Sequence, residues 1–274
     1  MTLAEARTLL ARANRILANE GVLDAFGHVS LRHPADPKRY LLSRSRGPEL
    51  VQPEDILEFD LDSEPIKPPT ARLYGERVIH GEIFKARPDV MAVCHHHAPS
   101  ILPFCVSGAV MKPVNHLGAT MGVKIPVWDS RDEFGNTSLL VTKPEEGASL
   151  ARALGPNWTV LMRRHGATAA GTSLEECVFR CIYTALNARM QIEALLLGGF
   201  EPLNDEETDL AGGANLRPGP IGRAWEYWSV RLDKIEGTRS PVPASPATGR
   251  AVPKKTAAKK SAPKRAKRRA RRGR

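Results

Sequence analysis

The chain contains no run of eighteen or more uncharged apolar residues, which excludes an ordinary membrane-spanning helix. Its first residues, MTLAEARTLLARANRIL, lack the unbroken apolar stretch and cleavage site of a secretory signal, and Glu5 speaks against a transit peptide. Cysteine is scarce: Cys94, Cys105, Cys177 and Cys181 are too few in 274 residues for a disulfide framework. Cys177 and Cys181 stand four apart in a helical pattern and read as reduced, buried thiols, so a cytoplasmic location is expected. Acid is absent from the C-terminal end, where residues 237–274 hold fourteen Lys/Arg and no Asp or Glu. The net charge of +10 therefore belongs to that end, because residues 1–236 carry 26 basic against 30 acidic side chains, a net of −4. A mildly acidic body is the wrong electrostatic footprint for a folded nucleic-acid binder.

What is present up to residue 236 is an alternation of helix-like and strand-like patterns with no internal repeat, long enough to bury a substantial core. Thr2-x-x-Glu5 is a capping box opening an amphipathic helix to about Asn19. Strands are expected at His28–Arg32, Tyr40–Ser43 and Leu57–Asp60, with a short turn opened by Pro53 before the third. Apolar residues at Val78, Ile79, Ile83 and Phe84 predict a helix over Glu76–Ala86, stopped by Pro88-Asp89. Val90–His97 reads as a strand, Ser100–Cys105 as a helix, Lys124–Trp128 as a strand and Glu145–Leu154 as a helix. Trp158–Arg163 is a short apolar strand ending at His165-Gly166, and Ser173-x-x-Glu176 starts a long helix stopped near Leu197 by Gly198-Gly199. The expected class is α/β, in one domain over 1–236.

Residues 237–274 are made largely of Ala, Pro, Lys and Arg without apolar periodicity, and they cannot repay the entropy of folding. They are expected to be a disordered basic tail. It acts either as a solvated, solubilising segment or as a non-specific electrostatic tether to nucleic acid or anionic surfaces.

Six of the eight histidines lie between His80 and His165, and three are consecutive. Strand alternation puts His95 and His97 on one face and His96 on the other. Two imidazoles at i and i+2 are half of a three-histidine site, and His165, at the end of another strand, is placed to complete it. Such a site leaves a divalent ion with open positions for Lewis-acid work on a carbonyl or enolate oxygen. Glu76 and His80, four apart, share a helix face. A carboxylate there is either a proton carrier for that chemistry or an ordinary surface group with a histidine neighbour.

The set Glu76-x3-His80-x14-His95-x-His97-x-Pro99, followed by Arg164-His165-Gly166 and Ser173-x-x-Glu176, resembles the class II aldolase/adducin family over roughly residues 3–200. The resemblance implies that His95, His97 and His165 bind one divalent metal ion (zinc first, with manganese, magnesium or iron as alternatives) and that Glu76 is the catalytic acid/base. It also implies a three-layer α/β/α fold and a homotetramer with sites near subunit interfaces.

Members of the family that act on sugar phosphates hold the phosphate on a Gly-Asn pair, a Pro-Ser-Gly-like turn and Ser-Ser before the Glu. Here the corresponding stretches are Gly27-His28, Ser43-Arg44-Ser45-Arg46-Gly47 and Tyr74-Gly75. Lost hydroxyl and amide donors weaken phosphate binding, whereas Arg44 and Arg46 suit a carboxylate, or else form a solvated basic loop. The segments Asp24–Ser30, Cys94–Pro99 and Asn115–Ala119 are similar to the decarboxylating branch. Its substrates are of the 2-hydroxy-3-carboxymuconic semialdehyde or 3,4-dihydroxyphthalate type. The resemblance implies substrate contacts from His28, Ser43, Arg44, Arg46 and Tyr227, a proton-relay helper at His116 or His28, and Tyr227 as a C-terminal aromatic closing a neighbouring site. The alternatives are an aldolase on a small hydroxy-oxo acid or sugar phosphate, a non-haem iron oxygenase using the same histidines, and a non-enzymatic adducin-like interaction module. The presence of all three histidines with the Glu speaks against the last.

Overall fold

In the computed structural model, which describes residues 1–238, Thr2 caps the first helix as its sequence demands. Its hydroxyl accepts from Glu5 N at 3.2 Å and Glu5 returns a carboxylate to Thr2 N at 2.7 Å. Helix α1 (Leu3–Asn19) then buries Ala6, Leu10, Ala13, Ile16 and Leu17, a stripe at three- and four-residue spacing. Each buried Leu or Ile contributes about 1.5–3 kcal/mol of transfer free energy.

Seven strands form one sheet: β1 (His28–Arg32), β2 (Arg39–Ser43), β3 (Ile56–Asp60), β4 (Ala92–His96), β5 (Val127–Trp128), β6 (Thr159–Met162) and β7 (Gly166–Gly171). Their order is β3-β2-β1-β4-β7-β6-β5, antiparallel throughout except for the parallel β5–β6 pair. The helices between and after them are α2 (Val78–Ala86), α3 (Leu102–Ser107), α4 (Arg131–Phe134), α5 (Pro144–Leu154), α6 (Leu174–Leu196), α7 (Asp205–Asn215) and α8 (Pro218–Thr238).

Strand alternation divides the core into two layers. Leu41, Cys94 and Ala169 face α1, α6 and α8, whereas Leu42, Val93 and Ala170 face α2 and α5. The fold is thus a three-layer α/β/α arrangement, and strands covered on both faces read as continuous apolar runs. A third cluster joins α3, Leu161 and Ala167 to Ala188 of α6. Helix α8 packs Trp228 edge-on to Phe179 at 5.9 Å, so that tryptophan is core within this chain.

Several elements depart from sequence expectation. Of Lys124–Trp128 only Val127–Trp128 pairs, and the strand expected over Val90–His97 spans Ala92–His96. Strand β7 was not expected, because Gly-Ala-Thr-Ala-Ala-Gly lacks the β-branched and aromatic residues that mark strands. Its small side chains serve close packing: a Cβ on Gly171 would stand 2.6 Å from the Cys177 backbone nitrogen. Helix α8 continues two residues past the expected domain end at 236, and the basic tail beyond lies outside the described residues. All four cysteines are buried and free, and no helix among the described residues is long and apolar enough to cross a membrane.

Candidate active site

The site forms where β4 ends beside the turn joining β6 to β7. Because β4 pairs with β1 on one side and β7 on the other, His95 lies between His28 and Thr168. His95 and His97 share a face, as alternation predicts, and their Nε2 atoms stand 3.1 Å apart. His96 points to the opposite face and is fully buried. His165 lies in the Arg163–His165 turn rather than on a strand, its N–H closing on the Met162 carbonyl at 3.0 Å. Arg164 before it adopts φ +60°, a left-handed conformation that costs a non-glycine residue about 1–2 kcal/mol. The turn brings one ring nitrogen from each of His95, His97 and His165 within 4.8 Å of one another.

Hydrogen-bond partners fix what this cluster can hold. Asp24 Oδ1, an acceptor, lies 3.2 Å from His97 Nδ1, so the proton sits on Nδ1 and Nε2 carries the lone pair. The Thr168 hydroxyl donates to the Met162 sulfur at 3.4 Å, so it accepts from His95 Nδ1 at 3.3 Å. Again Nε2 is left bare. Two lone pairs 3.1 Å apart repel unless a cation lies between them, so the donor set fits a divalent metal ion held by His95, His97 and His165. Burial pushes His95 well below the ordinary histidine range, with further depression from the neighbouring histidines His165, His28, His97 and His96. Burial and His97 lower His165 to about 4. Both are therefore neutral and ready to ligate near pH 7.

Glu76 sits against the cluster, its oxygens 3.7 Å from His95 Nε2 and 3.6 Å from His165 Nε2. It does not lie in regular helix. Gly75–Arg77 is a 3-10 turn before α2, and the Glu76 backbone is bent to φ −88°, ψ 15°. That bend separates it from His80, with which it was expected to share a helix face: Glu76 aims at the cluster, and His80 is buried under His28. Val141 N–H donates to Glu76 Oε1 at 2.9 Å. Burial raises the Glu76 carboxyl above the ordinary range, partly offset by that N–H and by His97. A carboxyl so tuned can hold a proton and release it beside the cluster.

A cavity of about 500 Å³ opens onto these groups. Phe26, Tyr74, Leu139 and Leu140 give it apolar walls, and His28, Ser45, Thr142 and Arg164 add polar groups. Of the residues expected from the sequence, His28, Glu76, His97 and His165 line it, with His95 buried directly behind. Ser43 is buried beneath, its hydroxyl 3.4 Å from the Tyr74 hydroxyl, which is itself bonded to the Arg46 backbone. Arg44 and Arg46 do not line the cavity. Both guanidinium groups grip Asp55, at 2.6 Å and 2.8 Å, so neither is the solvated loop cation nor the open carboxylate receptor of the sequence reading. His116 is exposed and contributes its carbonyl to Asn215, and Tyr227 is 56% exposed on α8. Neither is brought to the cavity of its own chain.

Sequence reasoning passed over three residues. Asp24 orients His97 and also accepts from Phe26 N and Gly27 N. Burial raises its carboxyl, but the Phe26 N–H, the His97 ring and the Gly27 N–H outweigh that and hold it below the ordinary range. Phe26, 74% exposed, forms one wall. Arg164 lines the cavity with its guanidinium free of any hydrogen bond or ion pair among the described residues. Its place beside His165 was visible, but the absence of an acidic partner was not.

Residues 8–192 match the class II aldolase and adducin N-terminal domain. The chain is 32% identical to decarboxylase tropJ of Talaromyces stipitatus over 78% of its length and 88% of that protein. It is 29% identical to a 3,4-dihydroxyphthalate decarboxylase of Arthrobacter keyseri, covering 85% of this chain and 96% of that one. Among solved structures, an L-fuculose 1-phosphate aldolase from Glaciozyma antarctica superposes with a TM-score of 0.71 at 20% identity, covering 85% of this chain and 90% of that one. At that identity the likeness is one of fold.

Proposed function

The chain belongs to the class II aldolase and adducin family, and from that premise we propose that it is a metal-dependent carboxy-lyase. Its substrate is a hydroxylated, carboxylated compound of the aromatic ring-cleavage or dihydroxyphthalate type. The observation that carries this reading is Glu76, a buried carboxyl with raised proton affinity, 3.6–3.7 Å from two ring nitrogens of a three-histidine cluster that opens on a cavity. The decarboxylase relatives named above support the reaction type.

His95, His97 and His165 would hold the divalent ion, zinc being the first choice for three imidazoles. When bound, it supplies Lewis acidity that stabilises the negative charge left as CO2 departs. Glu76 delivers a proton to the carbon that loses the carboxyl group and is recharged from solvent, so each CO2 released consumes one proton. Arg164, with no partner among the described residues, takes a carboxylate that stays on the substrate. Phe26, Tyr74, Leu139 and Leu140 exclude water around the planar part of the molecule.

Aldol cleavage of a sugar phosphate is the second reading, and the donor inventory speaks against it. Gly75 brings no side chain, the Tyr74 hydroxyl is engaged by Arg46 and Ser43, and both nearby arginines are bound to Asp55. A homo-oligomer belongs to the same proposal. Leu196 and Leu197 are 83% and 90% exposed, an apolar surface suited to a neighbouring subunit, and only from such a neighbour would His116 or Tyr227 reach a cavity.

The test is CO2 release by metal-loaded protein from 3,4-dihydroxyphthalate and from the carboxylated semialdehyde, run beside cleavage of L-fuculose 1-phosphate. Decarboxylation without aldol cleavage is expected. Aldol cleavage alone would reverse the assignment.

A further inference from the structure

Behind the cavity wall lies a buried line of side chains that metal binding and Glu76 chemistry leave unexplained. His28 Nδ1 meets His80 Nε2 at 2.7 Å, and His80 Nδ1 meets Ser30 Oγ at 2.6 Å. All three residues are at most 1% exposed. We propose that His80 and Ser30 are positioning residues that lock His28 in its Nδ1–H form, so that His28 shows the cavity a bare Nε2 and selects substrates offering a hydroxyl donor beside the histidine cluster.

The direction of the line follows from its buried end. The Val93 carbonyl, which can only accept, takes the proton of the Ser30 hydroxyl, the two oxygens lying 3.4 Å apart. With its own proton committed there, Ser30 Oγ accepts from His80 Nδ1 at 2.6 Å, which leaves His80 Nε2 as an acceptor. His80 Nε2 in turn requires the proton of His28 on Nδ1. The remaining ring nitrogen of His28, Nε2, has no partner among the described residues and is not sealed from solvent, and His28 lines the cavity. Its ring is held by Tyr74 at 4.5 Å and His95 at 5.3 Å between centroids, so it cannot turn to hide that nitrogen.

A fixed acceptor in a partly apolar cavity discriminates. A hydroxyl satisfies it, whereas an ether or a hydrogen atom leaves it unpaired and lowers affinity by about tenfold or more. The ligand class rests on the carboxy-lyase reading, but the tautomer does not.

Two measurements test this. In zinc-loaded protein labelled with 15N-histidine, the signal lost in His28→Asn should report a protonated Nδ1 and a bare Nε2; a protonated Nε2 overturns the proposal. Binding of 2,3-dihydroxybenzoate and its dimethyl ether is then compared by calorimetry. The preference for the dihydroxy acid should fall about tenfold in His80→Leu. His80→Gln, whose side-chain oxygen can accept from His28 Nδ1, should restore most of it. An unchanged preference in both variants overturns the inference. The expected tautomer and preference in a protein that releases no CO2 would uphold this inference while removing the proposed reaction.

Discussion

Gly166 lies so close to His96 that a Cβ added to it would stand 2.4 Å from the His96 carbonyl oxygen and 2.8 Å from the His97 ring. The glycine following His165 is thus a packing requirement: it lets β7 press against the end of β4 and carries His165 to the other two histidines. Gly166→Ala should shift that junction, cost about 1–3 kcal/mol and weaken metal binding while leaving the helices intact. Thermal unfolding with and without metal, together with a zinc titration, checks both effects. An alanine variant with unaltered metal affinity would show that the junction yields freely.

The three clustered histidines give the sharper test. One divalent ion per chain is expected, and His95→Ala and His165→Ala should each abolish stoichiometric binding. Asp24 touches no ligand atom but holds His97 Nδ1 at 3.2 Å and the Phe26–Gly27 loop at 2.9 and 3.0 Å. Asp24→Ala should therefore retain the site with about 10–100-fold lower affinity. Elemental analysis after dialysis against graded chelator separates abolition from weakening.

How much of this was legible in the sequence depended on whether the relevant contact was local. The strand period alone put His95 and His97 together and His96 apart, and Thr2 and Ser173 announced helices whose caps form as written. What escaped depended on residues distant in sequence or on backbone detail. Asp55 captures Arg44 and Arg46 only because the β2–β3 pairing brings its carboxylate beside them. The bend at Glu76 is set partly by Val141 N–H, sixty-five positions away. The freedom of Arg164 is an absence of partners among the described residues, which no motif encodes.

Glu76→Gln keeps the shape of the side chain and its acceptor oxygen for Val141 N–H but cannot carry the proton. It should bind metal normally and lose about 10²–10⁴ in kcat. Single-turnover CO2 release beside metal content reads both quantities. A Gln variant with full turnover would take Glu76 out of the chemistry.

Arg164 is held in a left-handed backbone conformation at the cavity without an ion pair among the described residues, so its guanidinium is available to a ligand there. Arg164→Gln should raise KM for a dicarboxylate about tenfold or more, with a smaller effect on kcat. Arg164→Gly would relieve the backbone strain and raise stability slightly while losing the same affinity. Opposite movements of Tm and substrate affinity in the glycine variant would identify a residue whose strain is kept for binding.

The buried histidines set the acid side of the stability profile. Burial lowers His80 to about 3, only partly offset by the Val93 carbonyl, and burial likewise lowers His96 to about 3. In the unfolded chain both return to the ordinary value near 6.5, so between about pH 6.5 and 3 the unfolded state binds protons that the folded state refuses. Their contribution is therefore complete above about pH 7 and is lost as pH falls, at up to about 1.4 kcal/mol per pH unit for each group. His80→Gln removes one of the two. The stability gap between the metal-free wild type and this variant, read from urea unfolding, should narrow by about 3 kcal/mol between pH 7 and pH 4. A gap that stays constant over that range would mean that His80 takes up its proton in the folded protein as readily as in the unfolded chain.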